Sequence, residues 1–344
     1  MKRVLVVKTS SMGDVVHALP AITESAARHP GLCFDWVVEP AFADIPALHP
    51  AVDRVIPLAF RKLRKRPLSM LQSEEWQAFR RSVREREYDA VIDAQGLLKS
   101  AFIAGRARGP LHGMDRRSAR EPLASLFYRH RHGVPRGMHA ITRQRRLFAA
   151  VLGHELGTEF PGYGLDPSHQ PQPLMDDPYL FFLQGTSWPT KEWPDRCWVE
   201  LIRIATGAGW RVVLAATGFE ARARARMLVS RSGRAQVLPD MGLAELAPWL
   251  AGASAHVGVD TGLSHLAAAL GTPGITLYGP TEPGLTGTMG HCQKHLQVDF
   301  ECAPCFSRKC RYRGHSTVYP PCFETLPPQR VWEALQPMLE QNRP

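Results

Sequence analysis

The chain has 344 residues, 44% of them hydrophobic and 22% charged; this is an ordinary globular composition with apolar material for two cores, because single cores rarely grow past ~250–300 residues. The formal net charge of +10 points to an anionic partner: a phosphorylated substrate, an acidic membrane surface or nucleic acid. Only four apolar residues, Val4 to Val7, separate Arg3 from Lys8, against the ~7–15 of a secretory core and the ~18 of a membrane span, so a cytoplasmic protein that at most touches a membrane from outside is expected.

Residues 3–8 form a short valine-rich run, the pattern of a buried strand. A small-residue loop follows over 9–13, and Asp14 opens an amphipathic helix predicted to run to Arg28. Strands are predicted at Cys33–Val38 and 54–58, a helix over 71–87, a strand over 90–94 and a helix from Leu97. The stretch 154–177 is rich in Pro and Gly and is the candidate linker. A second series follows, with strands at Tyr179–Leu183, 211–215, Ala255–Val259 and 274–277. Helices are predicted at 195–208, 220–231, 243–252 and 262–270, with a terminal helix at Pro328–Gln341.

Such strand–helix alternation predicts parallel sheets with crossover helices. The expected architecture is α/β, with two Rossmann-like, doubly wound domains over 1–165 and 175–327. Ligands in such sheets sit beyond the carboxyl ends of the strands. A cleft between the domains would be lined by the loops after Lys8, Leu183, Ala215 and Val259.

In the first loop, Gly13 allows a tight turn and close approach of a ligand. Asp14 at the helix start either caps the helix or accepts a proton from a substrate hydroxyl. The absence of a GxGxxG fingerprint argues against a nicotinamide dehydrogenase. In the second half, Asp260-Thr261-Gly262 follows a strand and opens a helix, where backbone N–H groups suit a phosphate. His265, about one turn on, would reach the same group; a capped core helix with an incidental histidine is the alternative.

Thr186 and Ser187 follow another strand, and Lys191 nearby either neutralises charge on a departing diphosphate or is an ordinary surface lysine. Thr217 and Glu220 follow a third, where a carboxylate suits ribose hydroxyls. Met241 either packs a base or fills the core.

Residues 61–66 carry five cations in six positions, and further arginines stand at 116, 117, 120, 129, 131, 136, 143, 145 and 146. A charge run is usually a solvated face, the reading kept for 129–136. The run at 61–66 directly follows an apolar strand and suits an anionic ligand. Cys302, Cys305, Cys310 and Cys322 lie within 21 residues; four thiols so placed either wrap one structural zinc or iron ion or stay reduced in a packed loop.

The run from Val7-Lys8-Thr9-Ser10-Ser11-Met12-Gly13-Asp14 to Pro20 resembles the opening of glycosyltransferase family 9. Phe34 to Glu39, Asp93-Ala94-Gln95-Gly96-Leu97-Leu98-Lys99-Ser100 and Ala119 to Tyr128 resemble, in order, later blocks of its lipopolysaccharide heptosyltransferase I branch. Asp260-Thr261-Gly262 to His265 resembles the family's D-x-G-x-x-H diphosphate signature. The resemblance covers residues 1–283 and weakens in the Cys-rich segment.

It implies a GT-B fold, with the acceptor on the first domain and the nucleotide sugar on the second. It makes Asp14 the general base and gives donor contacts to Thr186, Ser187, Lys191, Thr217, Glu220, Met241, Asp260, Thr261, Gly262 and His265. Ser11, Gly13, Arg61, Arg64, Lys65, Lys99, Arg120 and Arg143 fall to the acceptor. The implied partners are ADP-heptose, Kdo–lipid A and the anionic inner face of the inner membrane, with no nucleic acid. The chain has no Asp-x-Asp pair suited to a divalent ion on the diphosphate, so cofactor-free chemistry is expected. A different family 9 acceptor, a second core heptose or a protein, is the alternative; a basic, metal-clustered nucleic-acid-binding protein is another.

Overall fold

The computed structural model describes residues 3–63, 67–166, 177–233 and 235–341. The chain divides into two compact units, 1–166 and 167–344.

The first unit is a six-stranded parallel sheet of β1 (Arg3–Val7), β2 (Cys33–Val38), β3 (Val52–Pro57), β4 (Ala90–Asp93), β5 (Leu111–Met114) and β6 (His130–His132), in the order β3-β2-β1-β4-β5-β6. The chain winds outward from β1 to β3, then returns to β4 beside β1, so the switch in direction falls between β1 and β4. That is where a doubly wound sheet leaves a crevice at its carboxyl edge. One face of the sheet, including Leu5, Val7, Val37 and Val91, packs on Trp76 and Phe79, and Trp76 stacks on Phe102 at 5.3 Å.

Where a single helix from Asp14 to Arg28 is expected, there are two, Met12–Val16 and Leu19–Arg28. Pro20 explains the break: with no N–H to donate, it fits the start of a new helix and not the middle of one. Strand β5 and the edge strand β6 have no sequence signal, because Leu-His-Gly-Met and His-Arg-His lack an apolar run. The helix Ala140–Leu152 is hidden by its string of Arg and Gln residues.

The stretch expected as a linker begins as part of the first unit. Glu24 receives a bidentate arginine, Arg145, at 2.7 and 2.9 Å and the Gly157 N–H at 2.6 Å, while Arg145 also donates to the Gly157 carbonyl. Tyr163 is buried, and Asp166 N–H bonds to Leu48. The expected linker from 167 to 176 lies outside the described residues.

The second unit repeats the plan with β7 (Tyr179–Leu183), β8 (Arg211–Leu214), β9 (Ala235–Val237), β10 (Ala255–Val259), β11 (Gly274–Tyr278) and β12 (Gln293–Gln297), in the order β12-β11-β10-β7-β8-β9. All of its pairings are parallel, and its switch point falls between β7 and β10. Trp193, Trp198, Phe182 and Leu201 form its core together with Val331, Trp332 and Leu335 of the terminal helix Pro328–Gln341. That helix completes the second core.

Candidate active site

In the first unit the site grows from the ends of β1 and β4. Lys8, the residue after β1, turns inward and is buried. Its Nζ donates to the Ala94 carbonyl at 2.9 Å and lies 4.0 Å from Asp14 Oδ1. Gln95 ties the two loops together: its Oε1 accepts from Thr9 N–H and Oγ1 at 3.0 and 2.8 Å, and its Nε2 donates to the Ser10 carbonyl at 3.1 Å. Beneath them the buried Asp93 carboxylate accepts from Gln95 N, Gly96 N, Ser100 Oγ and Tyr128 Oη, at 2.9, 3.2, 2.8 and 2.7 Å. Gly96 is in the left-handed region, and a Cβ there would lie 3.3 Å from Arg120 N.

Asp14 is the third residue of the short helix, not its N-cap. Ser11 holds the N-cap, and its N–H and Oγ donate to Asp14 Oδ2 at 2.9 and 2.7 Å. These two bonds occupy one oxygen and leave the other toward Lys8. The side chain remains 37% exposed. Burial pushes its pKa up, but the Lys8 ammonium and the Ser11 donors more than offset that and hold it below the usual carboxylate range. Capping and an accessible, ionised carboxylate therefore coexist. Burial in turn lowers the Lys8 pKa, against the pull of Asp14 and with Arg120 and Arg143 adding to the depression.

Those last two fields place Arg120 and Arg143 in the same electrostatic neighbourhood as Lys8. Arg143 is half-buried and donates to Ser118 O at 2.7 Å and Met114 Sδ at 3.4 Å, whereas Arg120 is exposed. Lys99 Nζ lies 3.4 Å from Ser10 Oγ, and Ser11 and Gly13 form the lip of the loop. Arg61 is exposed, with its backbone N–H bonded to Glu39 and its guanidinium 6.0 Å from the Phe42 ring centre. Arg64 and Lys65 lie outside the described residues.

The run 129–136 is the solvated face expected, with Arg129, Arg131 and Arg136 exposed, and two of its arginines are also tied to backbone. It contains β6, Arg131 Nε donates to Ser125 O at 2.8 Å, and Arg136 bonds the Ala119 carbonyl.

In the second unit, Asp260 follows β10 and is buried. Its Oδ2 pairs with Lys191 Nζ at 2.6 Å and accepts from Thr281 Oγ1 at 2.6 Å, and its Oδ1 is 3.5 Å from His265 Nε2. Burial acts to raise its pKa; His265 and Lys191 overcome this and hold it far below the carboxylate range. Lys191 ends the turn Pro189–Lys191, after the loop carrying Thr186 and Ser187 beyond β7. Thr261 is the N-cap of the helix Gly262–Ala269, which leaves that helix's first N–H groups for an anion. Ser264 turns back to Val259 O at 2.7 Å, and a Cβ on Gly258 would meet it at 2.2 Å.

Thr217 and Glu220 are exposed beyond β8, Glu220 in the first turn of the helix Phe219–Ser232. Met241 is half-buried in the loop after β9.

The Cys-rich segment borders this site. Arg308 and Lys191 both lie over the Trp188 ring, at 4.8 and 4.7 Å from its centre, and Thr190 Oγ1 donates to Ser307 O at 2.6 Å. Cys302, Cys305 and Cys310 line a cavity of about 700 Å³, while Cys322 is packed in the core. Among the described residues, no three His, Cys, Asp or Glu side chains converge as metal ligands.

Two switch points, one presenting an ionised carboxylate among cations and the other a cation beside a free helix start, find their counterpart among known proteins. The model of glycosyltransferase family 9 (heptosyltransferase) matches residues 76–315. The chain belongs to glycosyltransferase family 9. This family 9 enzyme is 49% identical to lipopolysaccharide heptosyltransferase 1 of Pseudomonas aeruginosa, over 98% of both chains. It is 48% identical to the Escherichia coli K12 protein of the same name, over 85% of this chain and 92% of that one. The solved structure of E. coli heptosyltransferase WaaC with ADP superposes with a TM-score of 0.85 at 42% identity, covering 99% of this chain and all of that one. The family 9 enzyme is thus a glycosyltransferase with an α/β, GT-B fold.

Lys8, Gln95, Thr281, Trp188 and Arg308 are parts of the site that sequence reasoning missed. Only Lys8 has a readable signal: a lone cation ending a buried strand, where burial demands a partner.

Proposed function

We propose that the enzyme transfers L-glycero-D-manno-heptose from ADP-heptose to a Kdo residue of Kdo–lipid A, with inversion, in assembly of the lipopolysaccharide inner core. The observation that carries this is the Asp14 carboxylate, ionised and accessible beside Lys8. The names of the full-length relatives support the choice of sugar and pathway.

Asp14 Oδ1 takes the proton of a Kdo hydroxyl as that oxygen forms a bond to the anomeric carbon. The bond from that carbon to the diphosphate oxygen breaks on the opposite face, and ADP departs with the electron pair. Lys191 and the N–H groups at Thr261–Gly262 take up the growing charge, with His265 beside them. Thr186 and Ser187 flank the diphosphate, Thr217 and Glu220 take the ribose, and Met241 packs near the adenine. Ser11, Gly13, Lys99, Arg120 and Arg143 face the acceptor's carboxylates and phosphates, with Arg61, Arg64 and Lys65 completing the cation set. The reaction is supplied by these side chains without a catalytic cofactor.

The thiols of Cys302, Cys305, Cys310 and Cys322 are given a structural part only. As placed they do not converge, so one zinc or iron ion would require the loop to draw in around it. The enzyme works from the cytoplasmic side, held peripherally on the anionic inner face of the inner membrane.

Mass spectrometry of Kdo–lipid A after incubation with the enzyme and ADP-heptose tests the assignment. A gain of one heptose per lipid supports it. No gain on Kdo–lipid A, with transfer to a heptosylated core or to a protein instead, replaces the acceptor.

A further inference from the structure

Among the described residues, the large apolar side chains left exposed include Leu98, Leu123, Leu126 and Phe127, and these four come from one place. The turn Pro122–Phe127 joins β5 to β6. Its small residues, Ala124 and Ser125, point inward, and Ala124 packs with Ala101 and Tyr128. Its large ones point outward: Leu123 is 56%, Leu126 65% and Phe127 54% exposed. That is the reverse of what burial in water favours. Leu98 starts the neighbouring helix, with its N–H bonded to Glu121 Oε2 at 2.7 Å, and it stands on the helix side of Ala101. The result is an apolar tip where a soluble surface would carry polar side chains.

Arginines flank the tip along the chain, Arg120 two residues before Pro122 and Arg129 two after Phe127. Arg116, Arg117, Arg120, Arg129 and Arg131 are all exposed, and Arg131 is fixed against the same turn by its bond to Ser125 O. The nearby acids are engaged: Asp115 accepts from Arg117 and Ser118 N–H, and Glu121 from Leu98. An apolar tip flanked by exposed arginines matches the boundary between acyl chains and anionic headgroups.

We propose that the turn Pro122–Phe127, with Leu98, is a wedge that inserts into an anionic phospholipid bilayer while the flanking arginines engage lipid phosphates. The wedge begins within three residues of Arg120, so an acceptor embedded in the same bilayer would present its sugar headgroup beside Lys8 and Asp14. This deepens the peripheral-membrane reading above and rests on it.

Flotation with vesicles tests it, using the full-length chain and its triple variant Leu123→Ser/Leu126→Ser/Phe127→Ser. Leu71→Ser, at another exposed leucine of the same unit, is the control. The wild type and the control are expected to float with phosphatidylglycerol-containing vesicles and not with pure phosphatidylcholine, and the triple variant to bind the anionic vesicles at least about tenfold more weakly. Leu126→Glu should repeat the loss with a single change. Transfer to a water-soluble Kdo acceptor lacking acyl chains should stay within about twofold in the triple variant, because no acyl anchoring is involved. Undiminished vesicle binding by both variants, or no binding by the wild type, overturns the wedge. Failure of the wild type to transfer to the soluble acceptor counts against the heptosyl reading instead.

Discussion

Lys191 and Asp260 meet at 2.6 Å across the switch point of the second sheet, joining the loop after β7 to the residue after β10. The pair holds an ammonium beside the N-terminus of the helix Gly262–Ala269. Thr281 and His265 share the carboxylate, so Lys191 can turn toward a diphosphate without leaving Asp260 bare. Lys191→Ala should lower kcat by about 10²–10³-fold, the usual cost of one transition-state charge donor. Its acid-unfolding midpoint should also move to higher pH. Asp260 is held below its unfolded pKa, so its stabilisation is present above the ordinary ~3.9 and fades as pH falls below it; losing the lysine narrows that window. Steady-state kinetics and acid titration by circular dichroism read the two effects.

With Lys8 present, Asp14 is ionised below the usual aspartate range, so kcat/KM should show no acid limb from Asp14 near neutrality. Lys8→Met removes the cation and leaves burial, which raises a carboxylate pKa. The acid limb of kcat/KM should therefore move up in pH. A limb that stays in place would mean that Lys8 serves only to tie the loops at Ala94.

Glu24 tests the part of the fold that brings residues 154–166 back onto the first unit. It is buried, accepts two Arg145 bonds and the Gly157 N–H, and has a pKa below that of an ordinary glutamate: burial acts to raise it, and Arg145 and Gly157 prevail. Glu24→Ala should cost about 3–5 kcal/mol, because it strands a buried arginine. In the wild type this stabilisation is full above the unfolded value of ~4.3 and is lost as pH falls through the lower folded value. Urea unfolding of variant and wild type at pH 7 and in acid measures both.

Asp93 is buried beneath the turn at Gln95 and Gly96. Tyr128→Phe removes one of its four donors and should cost about 1–3 kcal/mol, with smaller effects on KM than on Tm. Asp93→Ala should be much worse, because it leaves buried N–H and O–H groups unpaired. Differential scanning calorimetry beside steady-state kinetics separates the two.

If the thiol cluster is a metal site, elemental analysis of the purified enzyme should return one zinc or iron per chain. Chelation should then lower Tm and leave initial turnover near normal, because Lys191 and the helix start supply the charge stabilisation. A metal content near zero would leave four free cysteines.

Much of the fold is legible in the sequence because its central strands are apolar runs: Arg3–Val7, Cys33–Val38, Tyr179–Leu183 and Ala255–Val259 are buried on both faces and need no alternation. Edge strands such as His130–His132 and Gln293–Gln297 are half-exposed and polar, so no local pattern marks them. The same divide runs through the site. Asp14 and Asp260 stand just beyond a strand, which marks them by position, whereas the base role of Asp14 and the donor role of Lys191 come from the family resemblance, since position alone suits a helix cap and a surface lysine. Gln95, Thr281 and Arg308 owe their places to contacts between loops distant in sequence, such as Gln95 with Thr9 and Ser10. No spacing rule reaches across 86 residues.

The central claim is that Asp14 accepts the acceptor's proton. The most direct measurement is turnover of Asp14→Asn with ADP-heptose and Kdo–lipid A, beside calorimetric affinity for ADP-heptose. The variant keeps the shape and can still accept bonds from Ser11, but it has no basic oxygen. The account predicts a fall in kcat of about 10²–10⁴-fold with donor affinity little changed. Near-normal turnover would contradict it.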